Sequence, residues 1–423
     1  MTNVHEGAPA PAPERLHALD AVRGGALLLG IVFHATLSFL PVPVKIWIVQ
    51  DSQPSLALGI LFFTTHVFRM TTFFLIAGFF AHMSFHRRGA AAFIGDRLKR
   101  IALPLVVGWP IVYGAIVAVV LWAARAANHG QLPGTPPPPF PTFPRFPLTH
   151  LWFLYVLLEL YAAILILRGA VVLMDRSGGI RAGVDRLVCL VMRGRLGAIV
   201  MAAPLGAALA ADPKWLMWFG IPTPDKSFVT NPTALIGFGC AFGFGWLLHR
   251  QVELLRTLER DCALNLILAI LLITASLAIV GVTPRLTPIP DDTIRLAGAA
   301  CYAAATWTAT FAVIGLALRF LSGFSPARRY IADASYWLYL IHLPIVMALQ
   351  VAVARLDWPW PVKFAAILAV AFPLMFASYE LMVRHSFIGW VLNGRRVPRS
   401  AALRLQAESG ASTLMAGPRE TPR

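Results

Sequence analysis

The sequence has few charged residues, and acidic ones are especially scarce. Charged residues make up 13% of the 423-residue chain, with 20 acidic against 36 basic side chains. A soluble domain is about 25% charged, so the composition excludes an ordinary soluble fold. The hydrophobic fraction of 58% is typical of a protein that crosses a membrane several times. The net charge of +16 could suit nucleic acid, but the placement of the basic residues, described below, favours a membrane protein without a nucleic-acid partner.

The sequence also has little that could hold a metal ion or a nucleotide. Its four cysteines form no CxxC pair, and we expect them to be buried structural thiols. The eleven histidines are scattered, without an HExxH motif or a Cys/His cluster, so no metal site is predicted. Neither a P-loop nor a dinucleotide fingerprint is present. We therefore expect no permanently bound cofactor.

Ten apolar runs are long enough to be candidate membrane helices. They are 22–40, 57–82, 101–124, 151–174, 197–211, 229–248, 263–283, 296–318, 331–354 and 361–383. The fifth run is short and contains Pro204, which makes it the weakest candidate. Between 125 and 150 the sequence is rich in proline, and it predicts a polyproline-like loop. This loop could be a semi-rigid lip over the outer face or an inert spacer.

The basic residues are distributed unequally between the loops that join these runs. With the N-terminus in the cytoplasm, 25 lysines and arginines fall on the cytoplasmic side and nine on the opposite side, while Arg23 and Arg69 lie within spans. This asymmetry follows the positive-inside rule. It predicts an even number of spans, with both termini on the cytoplasmic side.

The sequence divides into three segments. Residues 1–14 are expected to be disordered, and because they lack the basic region of a signal peptide, the first span is expected to be retained. Residues 15–394 form the predicted membrane domain. Residues 395–423 are basic and lack apolar periodicity, so they are expected to be a disordered tail. The predicted fold class is therefore an all-α bundle of about ten transmembrane helices.

The first predicted span carries ionisable residues that a simple anchor does not need. Asp20 and Arg23 lie at its start and His34 lies well inside it. Arg23 and His34 are eleven residues apart, which places them on one helix face and about 16 Å apart along the axis. Ionisable residues within a span usually face a cavity. Because histidine can accept a proton from a hydroxyl near neutral pH, His34 is the leading candidate for a catalytic base.

Two pairs of charged residues are open to a structural or a functional interpretation. Asp20 and Arg23 could form a local ion pair, or Arg23 could bind an anionic group near the inner surface. Arg97 and Arg100, at the cytoplasmic end of the third span, could simply mark topology. Alternatively they could bind phosphates, which arginine contacts through two hydrogen bonds at once.

The second and fourth spans carry candidate substrate-binding residues. His66 and Arg69 are three residues apart and share a helix face. Glu159 is a carboxylate within the fourth span, so Arg69 could pair with it or contact the substrate. His150 and Trp152 open the fourth span, where a sugar could stack on the indole ring or the aromatic residues could form an interfacial belt.

The ninth span adds two further candidates. Ser335 and His342 are seven residues apart and therefore share one face of the predicted helix. His342 falls near the middle of the span, where it could either line a cavity or be an ordinary core histidine.

The residues named above, with their flanking sequence, resemble the acyltransferase-3 family of membrane O-acyltransferases. The matching pieces lie between about 15 and 385 and read LHALDAVRG…H, FFLIAGFF, RLKRIALP, HLWFLYVLLELY and ASYWLYLIHLP. The family's arginine and histidine, eleven residues apart, fall on Arg23 and His34, and its RxxR falls on Arg97 and Arg100. The resemblance implies that His34 is the catalytic histidine and that the arginines help bind acyl-CoA. Ala77 departs from the family, which commonly has serine there.

Within that family, the chain looks like the succinyltransferases of osmoregulated periplasmic glucans. The likeness implies transfer of succinyl from cytoplasmic succinyl-CoA to a hydroxyl of a periplasmic glucan, with Arg69 as a candidate to stabilise the oxyanion. Two alternatives stay open. One is the same chemistry with acetyl groups on an exopolysaccharide or lipid-linked sugar. The other is a transporter of glucan or a small anion, although the inverted repeat of many transporters is not visible.

Overall fold

The computed structural model describes residues 13–42, 44, 46–132 and 140–394, and this part of the chain is α-helical. No β-strand occurs within these ranges, apart from an isolated bridge between Arg145 and Ser227. The predicted disordered tail at 395–423, residues 1–12 of the predicted N-terminal segment and residues 133–139 of the proline-rich loop lie outside the described residues.

The described ranges form fourteen α-helices. They are α1 (Pro13–Thr36), α2 (Leu56–Arg88), α3 (Ala90–Arg97), α4 (Leu103–Ala127), α5 (Trp152–Met174), α6 (Gly179–Arg193), α7 (Gly197–Ala210), α8 (Pro232–Arg250), α9 (Leu255–Arg260), α10 (Cys262–Val280), α11 (Asp292–Phe320), α12 (Pro326–Val353), α13 (Trp360–Ser378) and α14 (Phe387–Asn393). Within the same ranges, nine helical segments are long and apolar enough to cross a membrane, and the bent pair α6–α7 makes a tenth if it is counted as one span. The predicted bundle of about ten transmembrane helices is confirmed.

The fifth predicted span is the irregular one. α7 has 14 residues and includes Pro204, and it meets α6 at an angle of 113°. A helix of this length rises only about 21 Å, which is less than the ~30 Å hydrocarbon core. The short apolar run therefore forms half of a broken element rather than a simple span.

The first span differs from its predicted bounds. α1 begins at Pro13 and ends at Thr36, so His34 lies two residues before its C-terminal end. A 3-10 turn continues the span to Phe39, so His34 lies within the span His17–Phe39, five residues before its end. The apolar run continues beyond this helix, and hydropathy alone does not mark where the helix stops.

The cysteines also differ in part from the prediction. All four are free, and Cys262 is buried, whereas Cys189, Cys240 and Cys301 are half-buried. Cys189 lies in α6 and donates to Gln251 Oε1 over 2.6 Å. Apolar flanking residues predicted full burial, but several of these helices have an outward face.

Two glycines allow α2 and α8 to pack with their backbones in contact. A Cβ at Gly78 would overlap the carbonyl oxygen of Phe242, and a Cβ at Gly245 would overlap that of Leu75. Small residues permit such close approach of membrane helices. The glycine-rich run in α8 therefore packs α8 against α2, the helix that carries His66 and Arg69.

The end of α1 is fixed by side chains rather than by its own hydrogen bonds. The Gln350 amide of α12 donates to the carbonyl oxygens of His34 (3.0 Å) and Ala35 (3.2 Å), and its Oε1 accepts from the Trp47 indole. The last carbonyls of a helix have no partner within the helix, and in a membrane they must find one in the protein. Gln350 thereby sets the position of the backbone at His34.

We expect Gly245→Ala to destabilise the bundle by about 1–3 kcal/mol, because the added methyl group meets backbone that cannot move aside. Gly243→Ala is the matched control, since nothing lies within 4 Å of a Cβ at that position. Alanine has a higher helix propensity than glycine, so this variant should be at least as stable as the parent. Thermal unfolding in detergent measures both variants. Equal melting temperatures for the two would contradict the close α2–α8 contact.

The orientation of the bundle is testable by labelling. Val229 and Phe324 are 62% and 66% exposed in loops at opposite ends of the bundle. With both termini cytoplasmic, we expect an impermeant maleimide to label Val229→Cys in intact cells and to label Phe324→Cys only after the membrane is opened. The parent protein measures the background from its native cysteines, and the reverse pattern would invert the predicted topology.

Candidate active site

A cavity of about 710 Å³ lies inside the bundle. Its walls come from α1, α2, α12 and the beginning of α5, and its rim includes the loop between α7 and α8. The arginine distribution predicts that this loop end faces the periplasm. The predicted site residues that line the cavity are His34, His66, Arg69, His150, Trp152 and His342.

His34 and His342 are in direct contact at the cavity wall. The Nδ1 of His34 lies 2.7 Å from the Gly30 carbonyl oxygen and 3.1 Å from the Nε2 of His342, whose Nδ1 lies 2.6 Å from the Tyr339 carbonyl oxygen. A carbonyl oxygen only accepts hydrogen bonds, so each Nδ1 carries a proton when the ring is neutral. The single Nδ1–H of His34 is then shared between the Gly30 carbonyl oxygen and the Nε2 of His342, and the Nε2 of His34 is left with a free lone pair. This is the state a general base requires.

His150 lies beside this pair and presents a second unprotonated nitrogen. Its Nε2 donates to the Leu340 carbonyl oxygen over 3.2 Å, its ring centroid is 4.9 Å from that of His342, and its own carbonyl accepts from the Tyr339 hydroxyl. Its Nδ1 is buried and has no hydrogen-bond partner among the described residues. An unpaired buried acceptor is energetically unfavourable.

His66 and Arg69 lie on the α2 wall of the cavity and contact the same ring. The guanidinium carbon of Arg69 is 4.7 Å from the centroid of Phe33, and the ring of His66 is 5.1 Å from it. The Nδ1 of His66 and the Nε of Arg69 have no hydrogen-bond partner in the part of the chain that the structure describes. Their helix face, predicted from the spacing, therefore lines the cavity and carries buried, unsatisfied polar atoms.

The proposed pairing of Arg69 with Glu159 was wrong. Glu159 instead accepts a hydrogen bond of 2.6 Å from the Thr230 hydroxyl, and neither Glu159 nor Ser335 is among the cavity-lining residues. The Ser335 hydroxyl donates to the Ala332 carbonyl within its own helix. A shared membrane depth suggested the Arg69–Glu159 pair, but the two helix faces do not meet.

Asp20, Arg23, Arg97 and Arg100 gather at the other end of the bundle, away from the cavity lining. Asp20 pairs with Arg23 over 3.1 Å and with Arg329 over 3.3 Å. Asp96 pairs with both Arg97 and Arg100, at 3.4 Å and 2.9 Å. The local ion pair at Asp20 and Arg23 is thus confirmed. The arginines outnumber their acidic partners and leave positive charge at the end that the positive-inside rule predicts to be cytoplasmic.

The second arginine motif contains an irregular helical turn. Residues 98–102 form a π-helix, and the carbonyl of Arg100 accepts a 2.6 Å hydrogen bond from the Tyr336 hydroxyl. Such turns leave a carbonyl without its usual partner and are frequent at functional sites. Tyr336 supplies the missing donor and joins the arginine cluster to α12.

Thr149 is a cavity residue that sequence reasoning missed. It lines the cavity with a φ of 55°, its Oγ1 is buried without a partner among the described residues, and its N–H donates to the Asp225 carbonyl. A β-branched residue at positive φ is strained. The only sequence signal was the neighbouring His150, because nothing in the local pattern indicates a left-handed residue.

Charged residues at the rim of the cavity were also missed. Lys214, Asp225 and Lys226 come from the loop between α7 and α8. Burial raises the pKa of the Asp225 carboxyl, although Lys226 opposes the shift. Loop residues lie outside hydropathy patterns, so only the folded chain brings them to the cavity.

The fold and this cavity define a polytopic α-helical membrane protein with histidines around an internal site. The chain matches the protein-family model described as "Acyltransferase domain" over residues 16–380 and belongs to that family of acyltransferases. Membership agrees with the resemblance seen in the motifs and confirms it. Within the described residues, no three His, Cys, Asp or Glu side chains are arranged to hold a metal ion.

Several curated proteins are similar over a shorter stretch. Glucans biosynthesis protein C of Escherichia coli (strain SMS-3-5 / SECEC) is 36% identical over 103 residues, which are 24% of this chain and 26% of that protein. The protein of the same name from Escherichia coli O1:K1 / APEC is 35% identical over the same length. The matched region thus spans about a quarter of these relatives. No solved structure matches the chain.

Replacement of Thr149 tests the strain at the cavity. We expect Thr149→Gly to raise the free energy of unfolding by about 1 kcal/mol, because glycine adopts a positive φ without strain and the unpaired hydroxyl is removed. Thr142→Gly, in an exposed loop without positive φ, should lower it through chain entropy. Thermal unfolding of both variants is the measurement, and a lower stability of Thr149→Gly would contradict the strained geometry.

Proposed function

We propose that the protein is an O-acyltransferase of the bacterial inner membrane that transfers succinyl from cytoplasmic succinyl-CoA to hydroxyls of a periplasmic glucan. The observation that carries this proposal is the contact between His34 and His342 at the wall of the internal cavity. It leaves the Nε2 of His34 unprotonated, as proton removal from a sugar hydroxyl requires. The family and the names of the partial relatives support the reaction and the acceptor class.

In the proposed reaction, His34 acts as base and then as acid. Its Nε2 takes the proton of the acceptor hydroxyl while the hydroxyl oxygen attacks the thioester carbon. The tetrahedral intermediate breaks its carbon–sulfur bond, and the CoA sulfur leaves with the proton returned by His34. The products are an ester on the sugar and free CoA. His342 accepts the Nδ1–H of His34 and disperses the positive charge of the imidazolium, so it is a positioning residue.

In this proposal the donor and the acceptor enter from opposite ends of the bundle. Arg23, Arg97 and Arg100 lie where the phosphates of a cytoplasmic CoA would enter, and guanidinium groups suit phosphate oxygens. Arg23 is one helical turn from Ala26, which lines the cavity, so the pantetheine arm has a short distance to cross. The acceptor enters from the opposite end, past the rim at Lys214 and Asp225.

Asp20, His66, His150 and Trp152 have supporting roles in this proposal. Asp20 orients Arg23 through their ion pair. His150 accepts a hydrogen bond from an acceptor hydroxyl at its free Nδ1, and His66 offers another polar atom on the opposite wall. Trp152 lines the cavity, where its ring gives a sugar an apolar surface.

Complementation with variants tests the proposal. Cells that lack the protein receive the parent, His34→Ala or the matched control His129→Ala, whose histidine lies in an exposed loop. We expect the parent and His129→Ala to restore succinylated glucans, and His34→Ala to lower the rate by about 10²–10⁴-fold, the usual contribution of a general base. Mass spectrometry of periplasmic glucans is the measurement, with membrane levels of each protein equalised.

Other outcomes would change specific parts of the proposal. An acetyl increment in place of succinyl would overturn the donor, and an unchanged glucan pattern in every strain would overturn the acceptor. Acylation that survives His34→Ala would move the base to another residue, of which His342 is the nearest. His342→Gln retains an acceptor for the His34 N–H, so it should keep more activity than His342→Ala.

A further inference from the structure

Arg69 is a cation inside the bundle without an acidic partner. No carboxylate of the described chain forms an ion pair with it, and its Nε lacks any hydrogen-bond partner there. The acidic residue that lines the same cavity, Asp225, belongs to the rim. The cavity therefore contains a guanidinium group whose charge the described protein leaves uncompensated.

Gly30 leaves space for this guanidinium group on the helical turn of α1 that precedes His34. The Nη1 of Arg69 lies against Gly30, so that a Cβ at this position would be only 2.7 Å away. The carbonyl of Gly30 is also the acceptor for the His34 Nδ1–H. A larger residue at position 30 would push Arg69 away from α1. Because Gly30 has no side chain, the guanidinium group of Arg69 can lie against α1 one helical turn from His34.

An unpaired charge in this position is energetically unfavourable. A charge removed from water without a partner is strongly destabilising, and ionisable residues within membrane spans usually serve a ligand or transport path. The face of Phe33 offsets part of this penalty through a cation–π contact. It leaves the N–H groups at the edge of the guanidinium free, and these suit the two oxygens of a carboxylate.

We propose that Arg69 binds the free carboxylate of a dicarboxylic acyl group and thereby selects succinyl over uncharged acyl groups. This inference rests on the proposed acyl transfer and adds the residue that recognises the acyl group of the donor. In succinyl-CoA the carboxylate is two methylene groups from the thioester carbon. Gly30, which Arg69 contacts, and His34 are about 6 Å apart along the helix axis, so a short acyl chain with a hydrogen-bond contact at each end spans the two positions. With the carboxylate at Arg69, the thioester carbon lies beside His34.

An alternative role for Arg69 is stabilisation of the oxyanion. A comparison of two acyl-CoA donors distinguishes this role from carboxylate binding. Succinyl-CoA and butyryl-CoA have the same four-carbon chain, but only succinyl-CoA has the carboxylate. An oxyanion forms with either donor, so loss of an oxyanion contact slows both reactions equally. Loss of a carboxylate contact slows only the succinyl reaction.

The experiment uses the full chain in lipid vesicles, with the parent, Arg69→Gln and Arg69→Lys. Acyl transfer to glucan is measured as kcat/KM for each donor, and binding of each donor is measured without glucan by calorimetry. We expect Arg69→Gln to lower kcat/KM and affinity for succinyl-CoA by about 30–100-fold, as for one charged hydrogen bond. We expect less than about a threefold change for butyryl-CoA. Arg69→Lys should restore part of the preference, because lysine keeps the charge without the planar fork.

The butyryl-CoA reaction serves as the folding control within each variant. A parallel loss for both donors in Arg69→Gln, with unchanged melting temperature, would overturn the inference in favour of the oxyanion role. A parent that binds both donors equally would also overturn it. A parent that binds succinyl-CoA through Arg69 but transfers nothing to glucan would uphold the inference and overturn the proposed function.

Discussion

The contact between α1 and α12 is the constraint on which the site depends. α1 ends beside the cavity, and in a membrane its last carbonyls need partners from the protein. Gln350 supplies them at His34 and Ala35, while two turns earlier in the same helix His342 accepts from the His34 ring. One helix face therefore satisfies the backbone and orients the ring of His34, the proposed base. A shift of α12 would disturb both together.

The bundle separates two kinds of charge. The arginine cluster at one end is balanced in part by Asp20 and Asp96, and these residues are partly exposed. Arg69 lines the cavity and has no acidic partner in the described part of the chain. Two tyrosines of α12 connect these regions. Tyr336 donates to the π-helical turn of the arginine motif, and Tyr339 lines the cavity. In the proposed reaction the pantetheine arm of the acyl-CoA passes these two tyrosines. Because both belong to α12, the position of α12 affects how the donor enters.

Helical spacing predicted a shared cavity wall for one pair of residues on the same helix but not for another, because Ser335 does not line the cavity beside His342. The spacing of His66 and Arg69 placed them on one wall, and both line the cavity. Contacts between helices were not predictable in the same way. Arg69 and Glu159 were matched by charge and depth, yet Thr230 holds Glu159 because helix rotation directs the two faces apart. His34 and His342 were named separately, and their hydrogen bond depends on how α1 and α12 pack.

The sequence by itself determined the class of protein, the approximate number of spans and the helix that carries each candidate residue. These follow from apolar runs and helical periodicity, which are local properties of the chain. The tertiary structure alone decided that the His34 Nδ1–H is shared with His342, that Arg69 has no acidic partner among the described residues and that Thr149 lines the cavity at positive φ. Each of these depends on a distance between helices or on a loop conformation, and both are set by packing across the whole bundle.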